Sequence, residues 1–438
     1  MRLALVALIA AAAGLAAGKA DFEAGAASVD ITPEGPIWLS GYAARTHASD
    51  GVLSPIQAKA LALRDRKGYR IVIVTADVVG LPRGITDAVA ARLEKEHGLR
   101  RAQVVFNASH THTGPVIWPN LTTMYFISDE EKAKLHAYAA TFTEKMYSAA
   151  AAALGDLAPA EVTYGEGAAG FARNRRQGEK GPVDHSVPVF DVRTTDGKRK
   201  AILFGYACHN TTLTGEHYQV SGDYAGYAQA ALEKEYPGSV ALFLMLAGAD
   251  QNPNPRSKVE LAEGHGASLA SAVRAVIDGG KMAPVREPVK SAYQTIELAF
   301  APHTRDQFEA EAKDENRYKA SRAREMLAAY DSGHPKRSTP YPVQVIRFGR
   351  TVTLVALGGE VVVDYARRFK DTFQDKLVVA GYSNDVMCYI PSVRILREGG
   401  YEGDTSMIYY GQPGKFTEDV EEDIFRSVRG LLKRVGGK

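Results

Sequence analysis

Two histidines separated by one residue, His110 and His112, have the types and spacing best suited to chemistry in this sequence. They follow a buried-looking apolar run at 104–106, and Gly-Pro at 114–115 ends the stretch. Alternate residues of a strand face the same side, about 6.6 Å apart, so both imidazoles are expected to reach one pocket at a strand's end. Two polar histidines on a solvated loop would show the same spacing. We favour a metal or catalytic role, since imidazole serves as both metal ligand and general base.

An apolar strand followed by a ligand-type side chain recurs elsewhere in the chain. Four predicted strands each end in such a residue, namely His110, His209, Asp250 and Glu360. Residues that follow different strands of one sheet can meet in one site. Zinc binds nitrogen and oxygen ligands, and two His with one Glu is a common catalytic set. The alternative for each residue is that it only caps its own strand.

The elements that must position these residues are typical of one α/β domain. Apolar runs at 71–74, 200–206, 240–246 and 352–357 predict strands, and residues 84–96, 130–154, 304–330 and 418–435 predict helices. The run at 71–74 is apolar at every position, which predicts a central strand. No repeat or linker divides the chain. We therefore expect mixed β-sheets with flanking helices, and an active site at the strand ends.

Composition and charge exclude several classes of protein. Of the 438 residues, 45% are hydrophobic and 24% charged, as in ordinary globular proteins. The net charge is +2, with Lys and Arg scattered, so no nucleic-acid partner is expected. Nothing in the sequence indicates an oligomeric state.

The first twenty residues predict a secretory signal peptide. Arg2 precedes an Ala/Leu-rich run at 3–17, and small residues follow up to Ala20. This run is too short for a permanent membrane anchor. We expect cleavage near Ala20 and a secreted or periplasmic mature chain, 21–438, that forms a single catalytic domain.

The stretch at 109–115, Ser-His-Thr-His-Thr-Gly-Pro, resembles the Thr-His-Thr-His-Ser-Gly-Pro signature of the neutral/alkaline non-lysosomal ceramidase family. Other stretches resemble the family in the same order, at 207–209, 220–223, 248–254, 358–360, 381–389 and 401–403. The resemblance runs from about residue 27 to the end of the chain. It implies a divergent, bacterial-type member that carries the catalytic domain without the family's C-terminal immunoglobulin-like domain.

The resemblance also implies a ligand set and an active site. It implies one zinc ion per chain, held by His110, His209, Glu360 and Tyr389. His112 would lie beside the metal, and Arg175 and Tyr401 would line the active site. Two cysteines, Cys208 and Cys388, each precede an implied ligand. A disulfide between them and two buried thiols are both open alternatives.

Three departures from the family leave the substrate open. Asn252 stands where the family has a functional serine, and an amide can donate a hydrogen bond to an oxyanion but cannot act as a nucleophile. The chain is expected to lack the immunoglobulin-like domain. The charged segment at 304–330 does not look like a lipid-binding face.

The expected activity is hydrolysis of an N-acyl amide bond in a small-molecule or lipid substrate. In this hypothesis a zinc-activated water attacks the carbonyl, His112 protonates the leaving amine, and Tyr401 or Asn252 stabilises the oxyanion. Arg175 would fix a polar or anionic substrate group. An esterase or lactonase would use the same zinc ligands, and a non-catalytic exported binding protein would keep the same fold. Amidohydrolase barrels and metallo-β-lactamases also use His-x-His, but their other patterns are missing here, as is the serine-hydrolase elbow.

Overall fold

A computed structural model describes residues 20–176 and 181–436 of the chain. Its strands, in chain order, are β1 (Phe22–Asp30), β2 (Gly51–Val52), β3 (Gln57–Asp65), β4 (Arg70–Ala76), β5 (Val104–Ala108), β6 (Ala158–Ala168), β7 (Ala172–Asn174), β8 (Ser186–Thr194), β9 (Arg199–Tyr206), β10 (Gln219–Val220), β11 (Val240–Met245), β12 (Gln251–Pro253), β13 (Ala283–Pro284), β14 (Val289–Ala299), β15 (Ser338–Phe348), β16 (Val352–Leu357), β17 (Glu360–Val361), β18 (Leu377–Ala380) and β19 (Tyr389–Ile390). Its α-helices are α1 (Arg83–His97), α2 (Asp129–Gly155), α3 (Asp223–Glu235), α4 (Val259–Asp278), α5 (Arg305–Glu311), α6 (Arg317–Asp331), α7 (Val363–Thr372), α8 (Val393–Glu398), α9 (Gly400–Gly403) and α10 (Val420–Arg434).

Two mixed sheets form the centre of the molecule. Within the described ranges the larger sheet has the order β11-β9-β8-β6-β1-β3-β4-β5, with β13 paired to β6, and the smaller has the order β14-β15-β16-β18. Within these two sheets three neighbouring pairs are parallel: β4 with β5, β9 with β11, and β16 with β18. The mixed α/β fold predicted from the sequence is confirmed, and β4 lies inside its sheet as its uniform apolarity predicted.

The two sheets pack face to face, and helices cover their outer faces. Alternate residues of β4 divide between two cores: Ile71 and Ile73 face the smaller sheet, while Val72 and Val74 belong to the core that includes the helices. Residues of β16 alternate in the same way. Helices α1 to α4 pack on the larger sheet, and α7 and α10 pack on the smaller one. Burial of each Leu, Ile or Phe side chain contributes about 1.5–3 kcal/mol to the free energy of folding. The two cores, one on each face of a sheet, therefore hold the strand ends in place.

Asn107, near the end of β5, joins the ends of both sheets. Its side-chain amide donates to the carbonyls of Met245 and Gly381, and its Oδ1 accepts from the Met245 amide at 2.8 Å. An isolated bridge links Asn107 to Ser383, and a second links Leu246 to Ala380. The carboxyl ends of β5, β11 and β18 are therefore brought together. Candidate site residues come shortly after strand ends in this region.

Some sequence predictions of the elements are wrong or lie outside the structure. The segment at 304–330 forms two helices, α5 and α6, because the side chain of Asn316 accepts the amides of Tyr318 and Lys319 and starts a second helix. The predicted signal peptide lies outside the described residues except for Ala20. No helix in the described part of the chain is long and apolar enough to cross a membrane.

Candidate metal centre and substrate cavity

His110 and His112 lie in a loop after β5, not on the strand. The strand ends at Ala108, and His110 takes a left-handed backbone conformation with φ of 63°. The prediction that both rings share one pocket is confirmed, but the reason given for it is wrong. The left-handed turn, which costs a non-glycine residue about 1–2 kcal/mol, brings Nε2 of His112 within 3.0 Å of Nε2 of His110.

Glu360 and Tyr389 are neighbours through strand register. The short strands β17 and β19 run parallel, with Glu360 directly opposite Tyr389. Gly359, directly before Glu360, has φ of 70° and lies against the backbone of the segment that contains Tyr389. A Cβ at Gly359 would lie 2.7 Å from the carbonyl oxygen of Cys388. Only glycine fits this close contact between backbones.

The four residues implied as ligands converge on one point. One carboxylate oxygen of Glu360, Oε2, lies 3.1 Å from Nε2 of His110 and 3.1 Å from Nε2 of His209. The phenol oxygen of Tyr389 lies 3.2 Å from Nε2 of His209. His112 adds a third imidazole, and the metal-binding atoms of the three histidines lie within 4.8 Å of one another.

The chemistry of these donors fits a metal ion. Nδ1 of His110 donates to the carbonyl of Val79 at 2.6 Å, and Nδ1 of His209 faces the carbonyl of Gly248 at 3.3 Å. Both rings therefore carry their proton on Nδ1 and direct an Nε2 lone pair towards Glu360. Two Nε2 lone pairs and a carboxylate oxygen thus face one another. A cation bound between them would attract all three.

Two tyrosines that the sequence reading missed hold Glu360 in place. Tyr410 donates a short hydrogen bond to Oε1, and Tyr382 donates to Oε2 at 3.4 Å. The ring of Tyr382 also packs on His110, with centroids 4.4 Å apart. Their only signal in the sequence is the Tyr-rich segment after β18.

Burial and mutual charge put these groups in states that bind metal. Burial opposes ionisation of Glu360, whereas positive charge placed between its carboxyl and the imidazoles of His110 and His209 lowers its pKa well below the usual value. Burial, with Arg175 nearby, lowers the pKa of His209 to about 3. Burial and then the neighbouring imidazoles lower the pKa of His112 well below its ordinary value. Neutral imidazoles and an ionised carboxylate are the forms that coordinate metals.

Arg175 ties Tyr389 to the rest of the site. Its Nη2 donates to the phenol oxygen of Tyr389 at 2.9 Å, and its Nε donates to Glu402 at 2.6 Å. Burial raises the pKa of Tyr389 well above its ordinary value, while Arg175 lowers it. This guanidinium therefore positions Tyr389, and it also lines the cavity, where the predicted contact with a polar substrate group stays a prediction. Glu402, absent from the sequence predictions, supplies the counter-charge.

A cavity of about 570 Å³ opens onto this cluster. The four residues predicted as catalytic, His112, Asn252, Tyr401 and Arg175, all line it. Asn252 Oδ1 lies 3.4 Å from Nη1 of Arg175, and Tyr401 is 41% exposed with its ring 5.3 Å from that of Tyr389. The structure thus brings together all eight residues singled out for the site.

Asp250, also expected at the strand ends, does not join the donors. Its Oδ1 accepts the amide of Val363 at the start of α7, and its Oδ2 accepts the side-chain amide of Asn174 at 2.9 Å. It is fully buried and accepts the first backbone amide of the distant helix α7, so it neither joins the donors nor only caps its own strand. Cys208 and Cys388 are free, buried thiols, so the structure does not contain the disulfide.

The chain belongs to the neutral/alkaline non-lysosomal ceramidase family. Residues 22–258, more than half of the chain, match the family's N-terminal region, described as neutral/alkaline non-lysosomal ceramidase, N-terminal. The family is one of hydrolases, and the resemblance inferred from the motifs is confirmed.

The sequence identity between this chain and individual members of the family is low. A neutral ceramidase from Drosophila pseudoobscura pseudoobscura is 25% identical over 250 residues, which are 54% of this chain and 35% of the relative. One from Pseudomonas aeruginosa is 23% identical over 256 residues, 52% of this chain and 37% of the relative. The match thus spans little more than a third of these curated relatives.

The fold extends beyond the matched sequence. The crystal structure of neutral ceramidase from Pseudomonas aeruginosa superimposes with a TM-score of 0.78 and 18% identity, covering 94% of this chain and 74% of that one. A structure titled ceramidase complexed with C2 gives 0.76 and 17%, covering 95% and 75%. The neutral ceramidase catalytic fold therefore describes nearly the whole chain.

Proposed function

We propose that this chain is a zinc-dependent hydrolase of N-acyl amide bonds. The observation that carries the proposal is the convergence of imidazole lone pairs on an ionised carboxylate, with Tyr389 alongside. The residues that would hold one zinc ion are His110, His209, Glu360 and Tyr389. When bound, zinc supplies Lewis acidity and activates water for hydrolysis.

The remaining residues of the cavity supply proton transfer and orientation. His112 is a neutral imidazole beside the donors, so it can take a proton from the attacking water and return it to the leaving nitrogen. The amide of Asn252 and the hydroxyl of Tyr401 line the cavity, where they can donate to the carbonyl oxygen as it gains charge. Arg175 keeps Tyr389 and Asn252 in place.

A row of aromatic rings supports an apolar acyl chain in the substrate. It starts at Tyr389 and continues through Tyr401 at 5.3 Å, Tyr409 at 6.4 Å, Tyr318 at 5.3 Å and Phe126 at 5.5 Å between centroids. Phe126 and Tyr401 are 42% and 41% exposed. The row begins at the ligand cluster and reaches the surface, so a chain bound along it would place its carbonyl near the cluster.

Metal content and a substrate panel test the proposal. We expect one zinc per chain by mass spectrometry, and turnover of N-acyl amides that increases with acyl length and is lost with a chelator. N-acyl amides and matched esters separate an amidase from an esterase. Bound zinc without turnover of either would favour the binding-protein alternative, and absence of zinc after reconstitution would refute the proposal.

We also propose that the chain is exported, on the evidence of its first twenty residues alone. Expression in a bacterial host with fractionation and intact-mass measurement tests this. The expected product is a periplasmic or secreted chain that begins near Asp21, and a cytoplasmic chain that retains Met1 would contradict the proposal.

A further inference from the structure

The cavity contains one arginine that forms no ion pair with a carboxylate. Arg256 lines the wall near His112, and its Nη2 donates to the hydroxyl of Tyr42 at 3.1 Å. Tyr42 in turn donates to the carbonyl of Leu213, and its ring packs on His112 with centroids 4.8 Å apart. An uncharged hydroxyl, that of Tyr42, therefore holds Arg256 on the cavity wall that also carries His112.

The other cations of the cavity are paired. Arg175 binds Glu402 at 2.6 Å, and Arg176 binds both Glu402 and Glu398, the latter at 3.1 Å. Among the described residues that line the cavity, Arg256 alone is a cation without an ion pair. The lining thus carries three arginines and two glutamates, an excess of one positive charge.

The buried carboxylate of Asp223, which interacts electrostatically with Arg256, accepts hydrogen bonds from other groups. Asp223 is fully buried, and its carboxylate accepts the backbone amides of Leu213 at 2.8 Å and Tyr224 at 2.5 Å. It does not line the cavity and forms no ion pair with Arg256. Arg256 therefore keeps its charge available to a ligand in the cavity.

Unpartnered polar atoms cluster on the same wall. Three described residues that line the cavity keep a buried polar atom without a hydrogen-bond partner: Nδ1 of His112, Oγ1 of Thr211 and Nε of Arg256. Thr211 is only 3% exposed. Each such atom costs about 1–3 kcal/mol while it stays without a partner. This wall has the composition of a binding surface for an anion.

We propose that Arg256, with Thr211 and Tyr42 beside it, binds a carboxylate on the amine half of the substrate, so that the preferred substrates are N-acyl amino acids. This inference rests on the proposed function and names its substrate class. Hydrolysis would break the C–N bond, add the water oxygen to the acyl carbon and leave a fatty acid and a free amino acid. A guanidinium is suited to this role because its planar donors match a carboxylate.

The test compares a charged substrate with its neutral twin. N-lauroylglycine and N-lauroylglycinamide share the acyl chain and the scissile bond, and differ in the carboxylate. We expect wild-type protein to prefer the acid by at least about 10-fold in kcat/KM, since hydrogen bonds between charged groups are the strong ones. Arg256→Ala is expected to reduce that ratio about 10–100-fold, and Arg256→Lys to restore part of it. Arg324→Ala, an exposed arginine on α6, is the matched control and should keep the ratio.

A binding measurement separates this inference from the proposed function. Calorimetric titration of metal-free protein with N-lauroylglycine needs no turnover, and should show weaker binding in Arg256→Ala than in Arg324→Ala. If nothing is hydrolysed but this difference holds, the amidase proposal fails and the anion site stands. Equal kcat/KM for acid and neutral amide, preference for a neutral ceramide, or unchanged binding in Arg256→Ala would overturn the inference.

Discussion

Replacing Glu360 with glutamine separates metal binding from folding. In the metal-free protein, Oε2 of Glu360 faces the Nε2 lone pairs of His110 and His209 at 3.1 Å each. A glutamine amide has the same shape but offers N–H donors, so it can donate to one of these imidazoles. Tyr410 can still donate to the remaining oxygen. We therefore expect Glu360→Gln to fold normally and to lose its zinc.

The expected magnitudes follow from the contacts. One new hydrogen bond in the metal-free state contributes about 1 kcal/mol. Zinc at 100 times its dissociation constant stabilises wild-type protein by about 2.7 kcal/mol. A chain of 438 residues has an unfolding entropy of about 0.9 kcal/mol per kelvin, so zinc should raise Tm by about 3 °C in wild type. In Glu360→Gln this increase should vanish, while the metal-free Tm should equal or exceed that of wild type.

Thermal denaturation with and without zinc, together with metal analysis, measures both quantities. Glu398→Gln is the matched control, because Glu398 lines the same cavity but pairs with Arg176 and Arg394 instead of the histidines. The control should keep the zinc-dependent shift. A Glu360→Gln protein that holds one zinc with an unchanged shift would refute the ligand assignment, and a large fall in the metal-free Tm would refute the reasoning about lone pairs.

Three further changes test other contacts of the site. Tyr410→Phe removes the donor to Oε1 of Glu360 and should weaken zinc binding about 10–100-fold in a chelator competition assay; unchanged affinity would show that Tyr410 does not orient the ligand. Asn107→Ala leaves the carbonyls of Met245 and Gly381 and the Met245 amide without their partner. Urea denaturation should therefore show that the free energy of unfolding falls by at least about 3 kcal/mol. A fall below about 1 kcal/mol would contradict the role of Asn107 at the strand ends. Gly41→Ala adds a Cβ at a residue with φ of 88°, where it collides with Nδ1 of His112. We expect kcat to fall while the zinc content stays at one per chain. Loss of the zinc itself would instead indicate that His112 is a metal ligand.

Local patterns in the sequence account for the strands and for three of the four proposed donors. The apolar runs at 71–74 and 352–357 predicted β4 and β16, since residues buried on both faces must be apolar throughout. The same reading joined 304–330 into one helix, because charge and periodicity do not show where an asparagine side chain starts a new one. His110, His209 and Glu360 were recognisable as strand-end residues. Tyr389 was singled out only through the family resemblance.

The sequence by itself determined which side chains were available for chemistry and the family to which they belong. Tertiary structure alone decided which of them meet. Glu360 contacts His110 across 250 residues of chain because the two sheets join at Asn107, and it faces Tyr389 because β17 pairs with β19. Asp250, of similar sequence context, instead caps α7. The supporting bonds of Tyr410 and Glu402 were invisible for the same reason. Strand order and register bring such distant residues together, and the periodicity of a single strand carries no information about either.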